Sequence, residues 1–367
     1  MLYDLLFKIK DQRRGQGRRY LLGHILFFSI LAILSGATSY RKVHAFIKAN
    51  YVLLDDTFAL NWKRTPAYTT IRDIIQGVSS EDLEGCFRAY SDFLSEHSHG
   101  MKRFVAFDGK VLRGSFDHFL DQPAIQVLSA FLTDRQLILA HEEIAAKTNE
   151  IPTAQEMMSK LGLSDCIFTF DAINCQENTL IVGKETGNDV IVQVKGNQKT
   201  LLNDCQTLAE SSLPSDKYEE PIAKDHNRIE SRSVQVFPRP TFSDDVKWSL
   251  VEAVVKVDRE RWTFNTRSKV WEPSHEASFY IATTCLTAEA FCQAIRNHWR
   301  IENSNHYVRD VSLGEDGSRI RTNPHIFVKL RSFALNILRA NHVKNVSMEL
   351  FANCMNLSRV LNYSGIC

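Results

Sequence analysis

Apolar side chains near the start of the chain recur at three- and four-residue steps, which is the spacing of one buried helix face. The most apolar stretch runs from Leu21 to Ala37. It is 17 residues long and contains His24, so it falls short of the roughly 20 apolar residues of a membrane span. The pattern therefore predicts a buried helix here, and no membrane partner.

Two amphipathic helices are predicted further along, at Tyr40–Ala49 and Ser80–Leu94, with Ser80 as the N-cap of the second. A turn and a short helix over residues 64–75 lie between them. Such a helix–turn–helix could read DNA, but within a helical domain it more often serves packing. We expect residues 1–95 to form an all-helical N-terminal domain.

The pattern changes after a polar linker near residue 100. Short unbroken apolar runs at Phe104–Phe107, Ile167–Phe170 and Asp189–Val194 are typical of strands buried on both faces. Helical stretches at 150–161 and 175–185 alternate with them. This alternation predicts an α/β fold, with residues 103–224 as the first part of its core.

From residue 225 to 285 the composition favours β structure, and we expect a β-rich insertion there. A long helix from Thr287 to about Val308 is predicted next. A loop with Gly314 and Gly317 follows, and then a C-terminal helix over Pro324–Ala340. Residues 286–367 are therefore expected to supply the last helices.

Net charge and cysteine spacing limit which classes of protein the chain can belong to. The 367 residues include 44 Lys and Arg against 43 Asp and Glu, so the bulk charge gives no reason to expect nucleic acid. None of the eight cysteines forms a C-x-x-C pair, which favours a reduced, cytoplasmic protein over a disulfide framework.

The basic residues are nevertheless clustered locally. Residues 8–19 hold six Lys and Arg against one acid, and residues 318–344 hold six and no acid. One such cluster is usually a solvated face, but two of them favour contact with phosphates. From these clusters we take as candidate DNA-binding residues Arg13, Arg14, Arg18, Arg19, Arg319 and Arg321.

Two aspartates carry the first hint of chemistry. Asp108 and Asp171 each follow a short apolar run, and ligands of open α/β sheets bind beyond the carboxyl ends of strands. If the two strands are parallel neighbours, both carboxylates emerge at one edge. The alternative is that each aspartate only caps the turn after its strand.

A third acid stands in the predicted helix that starts at Thr287. At about 100° per residue, Glu302 falls on the apolar stripe that includes Trp299. A buried carboxylate needs a metal ion or a cation beside it, and the alternative to a metal is an ion pair with Arg309, two helical turns further on, or with a distant Arg. Three carboxylates suit Mg²⁺. A zinc site with His298 and His306 is the less favoured alternative.

Five motifs then stand in order along the chain: FVAFDGKVLRGS (104–115), FDAINCQ (170–176), VQVKGNQ (192–198), DHNRIESR (225–232) and NHWRIENSNHYVRDVSLGEDGSRIR (297–321). Together they resemble the insertion-sequence transposases of the H-repeat-associated type, which belong to the DDE group. Residues 11–46 likewise resemble the helical domain that precedes the catalytic core in that family. The resemblance covers nearly the whole chain.

The resemblance implies an RNase H-like catalytic core with catalytic and metal-binding roles for Asp108, Asp171 and Glu302. It also implies dependence on Mg²⁺, for which Mn²⁺ can substitute, and a homodimer on DNA in the bacterial cytoplasm, associated with the nucleoid. Related transposases often carry Tyr, Arg and Lys around the Glu. Here those offsets hold Ile295, His298 and Arg309.

The sequence thus predicts a DDE transposase that cuts DNA at element ends and joins the 3′-hydroxyl to target DNA by two-metal phosphoryl transfer. The alternatives are a domesticated DNA-binding copy, a Mg-dependent nuclease, or a phosphohydrolase with Asp108 as nucleophile. Further candidates for contact with the DNA backbone are Lys110, Arg113, Lys195, His298 and Arg309.

Overall fold

A computed structural model describes residues 1–95, 102–112, 115, 124–144, 149–225 and 227–366. The chain divides into two compact units. Unit 1 comprises Met1–Gly100, Gly109–Asn149 and Ile301–Cys367, and unit 2 comprises Met101–Asp108 and Glu150–Arg300.

Helices and strands follow one another along the chain. The α-helices are α1 Leu2–Phe7, α2 Leu22–Leu34, α3 Tyr40–Ala49, α4 Tyr51–Phe58, α5 Tyr68–Gln76, α6 Ser80–Leu94, α7 Glu150–Lys160, α8 Glu177–Glu185, α9 Lys199–Ser211, α10 Ala288–His298, α11 Tyr307–Val311, α12 Pro324–Ala340, α13 Val346–Met355 and α14 Leu357–Leu361. The strands are β1 Arg103–Val111, β2 Gln126–Leu132, β3 Leu137–Ile144, β4 Cys166–Phe170, β5 Asp189–Val194, β6 Asp216–Asp225, β7 Arg228–Pro238, β8 Ala253–Asn265 and β9 Val270–Ala282.

The helices of unit 1 surround α2, whose residues are all buried. This confirms the prediction of a buried helix, and no helix among the described residues is long and apolar enough to cross a membrane. The cap of α6 was predicted one residue late. Ser79 is the cap, and its Oγ accepts a hydrogen bond from the Asp82 backbone N–H at 3.2 Å.

Helix α12 packs against α2, α6 and β3 within unit 1. Its polar Asn336 is fully buried, and the amide pairs with the backbone of Ile138 through bonds of 2.9 and 2.8 Å. A buried amide satisfied in this way fixes the position of the helix along β3.

The strands form a nine-stranded sheet in the order β3-β2-β1-β4-β5-β9-β8-β7-β6. Strand β1 pairs with β4 in parallel and β4 with β5 in parallel, while β5 to β9 and the following pairs are antiparallel. The helical N-terminus and the mixed sheet confirm the predicted α/β fold class.

The β-rich stretch of unit 2 differs in detail from the prediction. The β-rich composition at 246–257 and at 261–266 predicts two separate strands, but residues 244–250 form turns and one strand, β8, covers Ala253–Asn265. The polar residues between the two runs pair across β7 and β9 rather than forming a loop. Helix α9 and strand β6 had no counterpart in the prediction.

Candidate active site

Asp108 and Asp171 are brought together by strand pairing in unit 2. Strands β1 and β4 pair in parallel from Arg103 with Cys166 to Ala106 with Thr169. Both aspartates stand two residues beyond the last of these pairs, in the same register and on the same face. The condition for a shared edge, that the two strands are parallel neighbours, is therefore met.

The two aspartates differ in their local structure. Asp108 does not end its strand, because β1 continues to Val111, so that part of the prediction was wrong. Both carboxylates are half-buried. The residue before each aspartate is aromatic, and the Phe107 ring stacks on the Phe170 ring at 4.7 Å between centroids. This packing fixes the backbone next to both acids.

Asp171 directly follows β4 and caps a 3-10 turn over Ala172–Asn174. Its Oδ1 accepts hydrogen bonds from the Ile173 backbone N–H at 3.2 Å and from Asn174 Nδ2 at 3.3 Å. No described residue donates to its Oδ2. Asp171 therefore caps the turn after its strand, as the alternative in the sequence analysis held, and its second oxygen is available to a ligand.

A further carboxylate near Asp171 was missed by the sequence analysis. Asn174 Nδ2 also donates to Glu150 Oε1 at 3.0 Å, so one amide bridges Asp171 and Glu150. Burial raises the pKa of Glu150, and the charge of Asp171 raises it further while Asn174 opposes both effects. In the sequence, only Asn174 in the motif FDAINCQ pointed to a polar partner for the carboxylates at this site.

Glu302 is exposed, not buried, which overturns the reason for choosing it. Helix α10 ends at His298, and residues Ile301–His306 form a π-helical segment. The wider π turn breaks the 100° progression on which the stripe was drawn, and Trp299 is itself 39% exposed. No described cation pairs with Glu302, and the alternative of an ion pair with Arg309 is also wrong.

The buried acid of this region is Glu315, which lies in the predicted loop with Gly314 and Gly317. Its carboxylate lies 2.8 Å from Arg309 Nη2, 3.1 Å from Lys110 Nζ and 3.9 Å from Arg331 Nη1. Gly314, at φ +63°, turns the chain so that Glu315 points inward. Burial alone would raise the pKa of Glu315, but the three cations bring it to about 2.

Two cations of unit 1 hold the π-helical segment through its backbone carbonyls. Arg339 Nη2 donates to the Ser304 oxygen at 2.9 Å, and Lys110 Nζ donates to the His306 oxygen at 3.5 Å. Lys110 also forms an ion pair with Asp310. The segment that carries Glu302 is therefore anchored at its middle and at its end.

Three predicted DNA contacts are buried inside the protein. Arg309 is 1% exposed, and Lys110 and His298 are 8% exposed. Burial lowers the pKa of His298 to about 4, and the neutral ring is hydrogen-bonded to Thr169 Oγ1 at 2.9 Å. These three side chains pack and form hydrogen bonds or ion pairs inside the protein, so they are not part of the proposed DNA interface.

The remaining basic candidates divide between structural and exposed positions. Arg13 pairs with Asp11 at 2.7 Å, and Arg18 donates to the Asp11 backbone oxygen at 2.7 Å. Arg113 lies outside the described residues. The exposed positions are Arg14, Arg18, Arg19, Lys195, Arg319 and Arg321, and among them Arg18 also donates to backbone oxygens.

No cluster of three His, Cys, Asp or Glu side chains suited to a metal ion occurs within the ranges that the structure describes. The less favoured zinc site with His298 and His306 receives no support there. What the structure does provide is a pair of half-buried carboxylates on adjacent strands, the hard oxygen donors that Mg²⁺ prefers.

Comparison with known proteins defines the class. Residues 3–91 match the family described as DDE_Tnp_1-associated, and residues 99–337 match the family described as Transposase DDE domain. The chain belongs to the Transposase DDE domain family, whose members generally depend on a divalent metal ion.

Particular relatives span most of the chain. It is 30% identical over 342 residues to the H repeat-associated putative transposase YhhI of Escherichia coli strain K12, covering 91% of this chain and 89% of that protein. The putative protein YbfL of the same strain matches with the same identity and coverage. A cryo-EM structure of the piggyBac transposase synaptic complex with hairpin DNA is similar over 98% of this chain and 77% of that chain, with 10% identity and a TM-score of 0.45.

Proposed function

We propose that this protein is a DDE transposase that cuts DNA at the ends of an insertion sequence and joins the freed 3′-hydroxyl to target DNA. The observation that carries the proposal is the shared register of Asp108 and Asp171 on β1 and β4. It is supported by the match of residues 99–337 to the Transposase DDE domain family.

In this proposal Asp108, Asp171 and Glu302 would hold two divalent cations, either Mg²⁺ or Mn²⁺. Two such ions, when bound, activate an attacking water or hydroxyl and stabilise the leaving oxygen of a phosphodiester. Asp171 offers Oδ2 as a ligand, while its Oδ1 is oriented by the turn after β4. Asn174 holds that carboxylate in place and keeps Glu150 beside it.

We propose Glu302 as the third acid because its carboxylate is exposed, and not because it is buried. Asp310 and Glu315 are both engaged by Lys110, and Glu315 also by Arg309. Glu302 is an exposed carboxylate on an anchored segment, so it can bind a ligand without breaking an ion pair. The exposed Asp316 is the remaining rival.

The test is a cleavage assay on a plasmid that carries the gene's flanking sequences. Asp108→Asn, Asp171→Asn and Glu302→Gln should each abolish Mg²⁺-dependent cleavage and leave affinity for duplex DNA near that of the parent. Asp316→Asn is the matched control, because it also removes one exposed charge, and it should keep most of the cleavage.

Cleavage by the Asp108 or Asp171 variant at the parental rate would refute the metal assignment. Loss in Asp316→Asn but not in Glu302→Gln would move the third ligand to Asp316. A parent that binds the ends tightly but never cuts them would favour the domesticated DNA-binding copy.

The proposed partner is DNA, both element ends and target. Because transposition joins two ends, we further propose that the chain acts as a homodimer on DNA. Light scattering of the protein with end-containing duplex should give two chains per complex, and one chain per duplex at saturation would contradict this.

A further inference from the structure

The last five residues of the motif DHNRIESR, residues 228–232, begin β7, and the proposed chemistry gives them no role. In a strand, every second side chain points to the same face. Arg228, Glu230 and Arg232 therefore share one face of the sheet. The register continues that face across β8, where Arg261 stands opposite Glu230 and Arg259 opposite Arg232.

Four arginines converge on the single carboxylate of Glu230. Arg259 approaches it through Nε at 2.9 Å and Nη2 at 3.1 Å, and Arg232 through Nη2 at 2.9 Å. Arg228 forms a close ion pair with it, and Arg261 Nε lies 3.9 Å away. We call Arg228, Arg232, Arg259 and Arg261 around Glu230 the arginine face.

Positive charge on the arginine face exceeds what its acids neutralise at the centre. Glu220 also pairs with Arg232, at 3.2 Å, and Glu276 lies 3.9 Å from Arg259. Glu220 is shared with a fifth arginine, Arg296. Four guanidinium groups carry more N–H donors than the lone pairs of these three carboxylates can accept.

Arg261 shows this excess most directly. Its Nε is buried and has no hydrogen-bond partner among the described residues. Burial lowers the pKa of Arg261, and the neighbouring Arg259 and Arg228 lower it further. The repulsion between these neighbouring guanidinium groups is unfavourable, so an anion bound to their exposed N–H groups would stabilise the cluster.

The arginine face is accessible to a large ligand. Arg228 is 43% exposed and Arg261 34%, while Glu230 beneath them is 16% exposed. Arg259 is 28% exposed, so three of the four cations are more exposed than the carboxylate, whereas Arg232, at 12%, is less exposed. Arginine also matches phosphate geometry, because its planar fork can donate two parallel hydrogen bonds.

We propose that the arginine face binds the phosphate backbone of duplex DNA. This inference rests on the proposed function, since DNA is the polyanion that a transposase handles. It adds a DNA-binding surface in the β-rich part of unit 2 to the basic residues at 8–19 of unit 1. Because the contacts are to phosphates, binding here is independent of base sequence.

The opposite face of β8 supplies a matched control. Lys256 pairs with Asp258 at 3.0 Å and is 26% exposed, close to the 28% of Arg259. Its position in the strand differs from Arg259 by an odd number of residues, so it points to the other face. Lys256→Gln removes a similar charge from the same strand without touching the arginine face.

The experiment measures anisotropy of a labelled duplex of arbitrary sequence with the full chain at several salt concentrations. Each lost phosphate contact flattens the plot of log affinity against log salt by about 0.9. Raising the salt from about 50 to 200 mM weakens DNA binding in both proteins. In the double variant Arg259→Gln/Arg261→Gln this fall in affinity should be about tenfold smaller than in the parent. Lys256→Gln should follow the parent.

Glu230→Gln gives a test of opposite sign. Removing the central carboxylate leaves the arginines with more charge for an anion, so this variant should bind duplex more tightly and with a steeper salt slope. A network that serves only the fold predicts weaker thermal stability in both variants and no gain in affinity. Thermal melting of every variant separates these outcomes.

Equal salt slopes for the parent, the double variant and Lys256→Gln would overturn this inference while leaving the proposed function intact. A parent that binds no duplex at low salt would overturn both. The expected combination is that Asp108→Asn loses cleavage and keeps the parental DNA affinity, whereas the double variant binds DNA more weakly and with a flatter salt slope than the parent.

Discussion

Glu315 and Asp316 show how far two adjacent acids can differ. One is buried among Arg309, Lys110 and Arg331, and the other is exposed. The sequence placed both in a glycine-flanked loop, where solvent would satisfy them. A pattern of apolar positions cannot report an ion cluster whose members come from residues 110, 309, 315 and 331, because that proximity exists only after folding.

Glu315→Gln should therefore destabilise the protein strongly. The substitution leaves three cations without their shared carboxylate, and breaking a buried pair on one side costs about 3–5 kcal/mol. Asp316→Asn should change the free energy of unfolding by less than about 0.5 kcal/mol. Urea denaturation of the two variants checks this, and equal midpoints would contradict the cluster's role.

The same carboxylate should make the fold sensitive to acid. The pKa of Glu315 is held at about 2 in the folded protein against an ordinary value of 4.5, so its contribution is present above pH 4.5 and is lost as the pH falls toward 2. The shift corresponds to about 3 kcal/mol. Unfolding free energies measured at pH 6 and pH 3 should differ less in Glu315→Gln than in the parent.

At the scale of elements, prediction succeeded where one local pattern decided the structure. Helices α3 and α12 and strand β5 lie where the apolar spacing put them. It failed where a helix changes type. The pattern from Thr287 to Val308 predicts one α-helix, but α10 ends at His298 and the π-helical segment follows. Carbonyl contacts from distant cations support that segment, and spacing does not encode them.

Loss of one of these contacts should loosen the π-helical segment. Arg339→Met removes the donor to the Ser304 oxygen, so amides of residues 301–308 should exchange with solvent faster than in the parent. Arg359→Met is the control, since Arg359 pairs with Glu349 at 2.8 Å on an exposed part of the same unit. Unchanged protection of 301–308 in Arg339→Met would show that the contact does not hold the segment.

For the molecule as a whole, charge is balanced in number but uneven in placement. The fold class was predictable because alternating apolar runs and helices leave few topologies. The proposed acids Asp108 and Asp171 were predictable as a pair for the same reason. The choice among basic residues was not, because Lys110, His298 and Arg309 differ from exposed residues only in what packs over them.

The basic cluster at 8–19 should accordingly contribute through some of its members only. Replacing the exposed Arg14 and Arg19 by Ala should flatten the salt dependence of DNA affinity by about one unit per lost contact. Arg13→Ala should instead lower stability, because Arg13 also donates to the backbone oxygens of Gly17 and Tyr20. Binding titrations and thermal melts distinguish the two effects. An unchanged slope in the Arg14 and Arg19 variant would show that this cluster is only a solvated face.

The pairing of β1 with β4 also sets which changes in length the proposed site can survive. Inserting one residue within Arg103–Asp108 or Cys166–Asp171 would turn one carboxylate to the far side of the sheet. The chain between Val111 and Cys166 does not enter this register, so its length can drift during evolution without separating the two acids. Relatives that differ in size should therefore differ between these strands and not inside them.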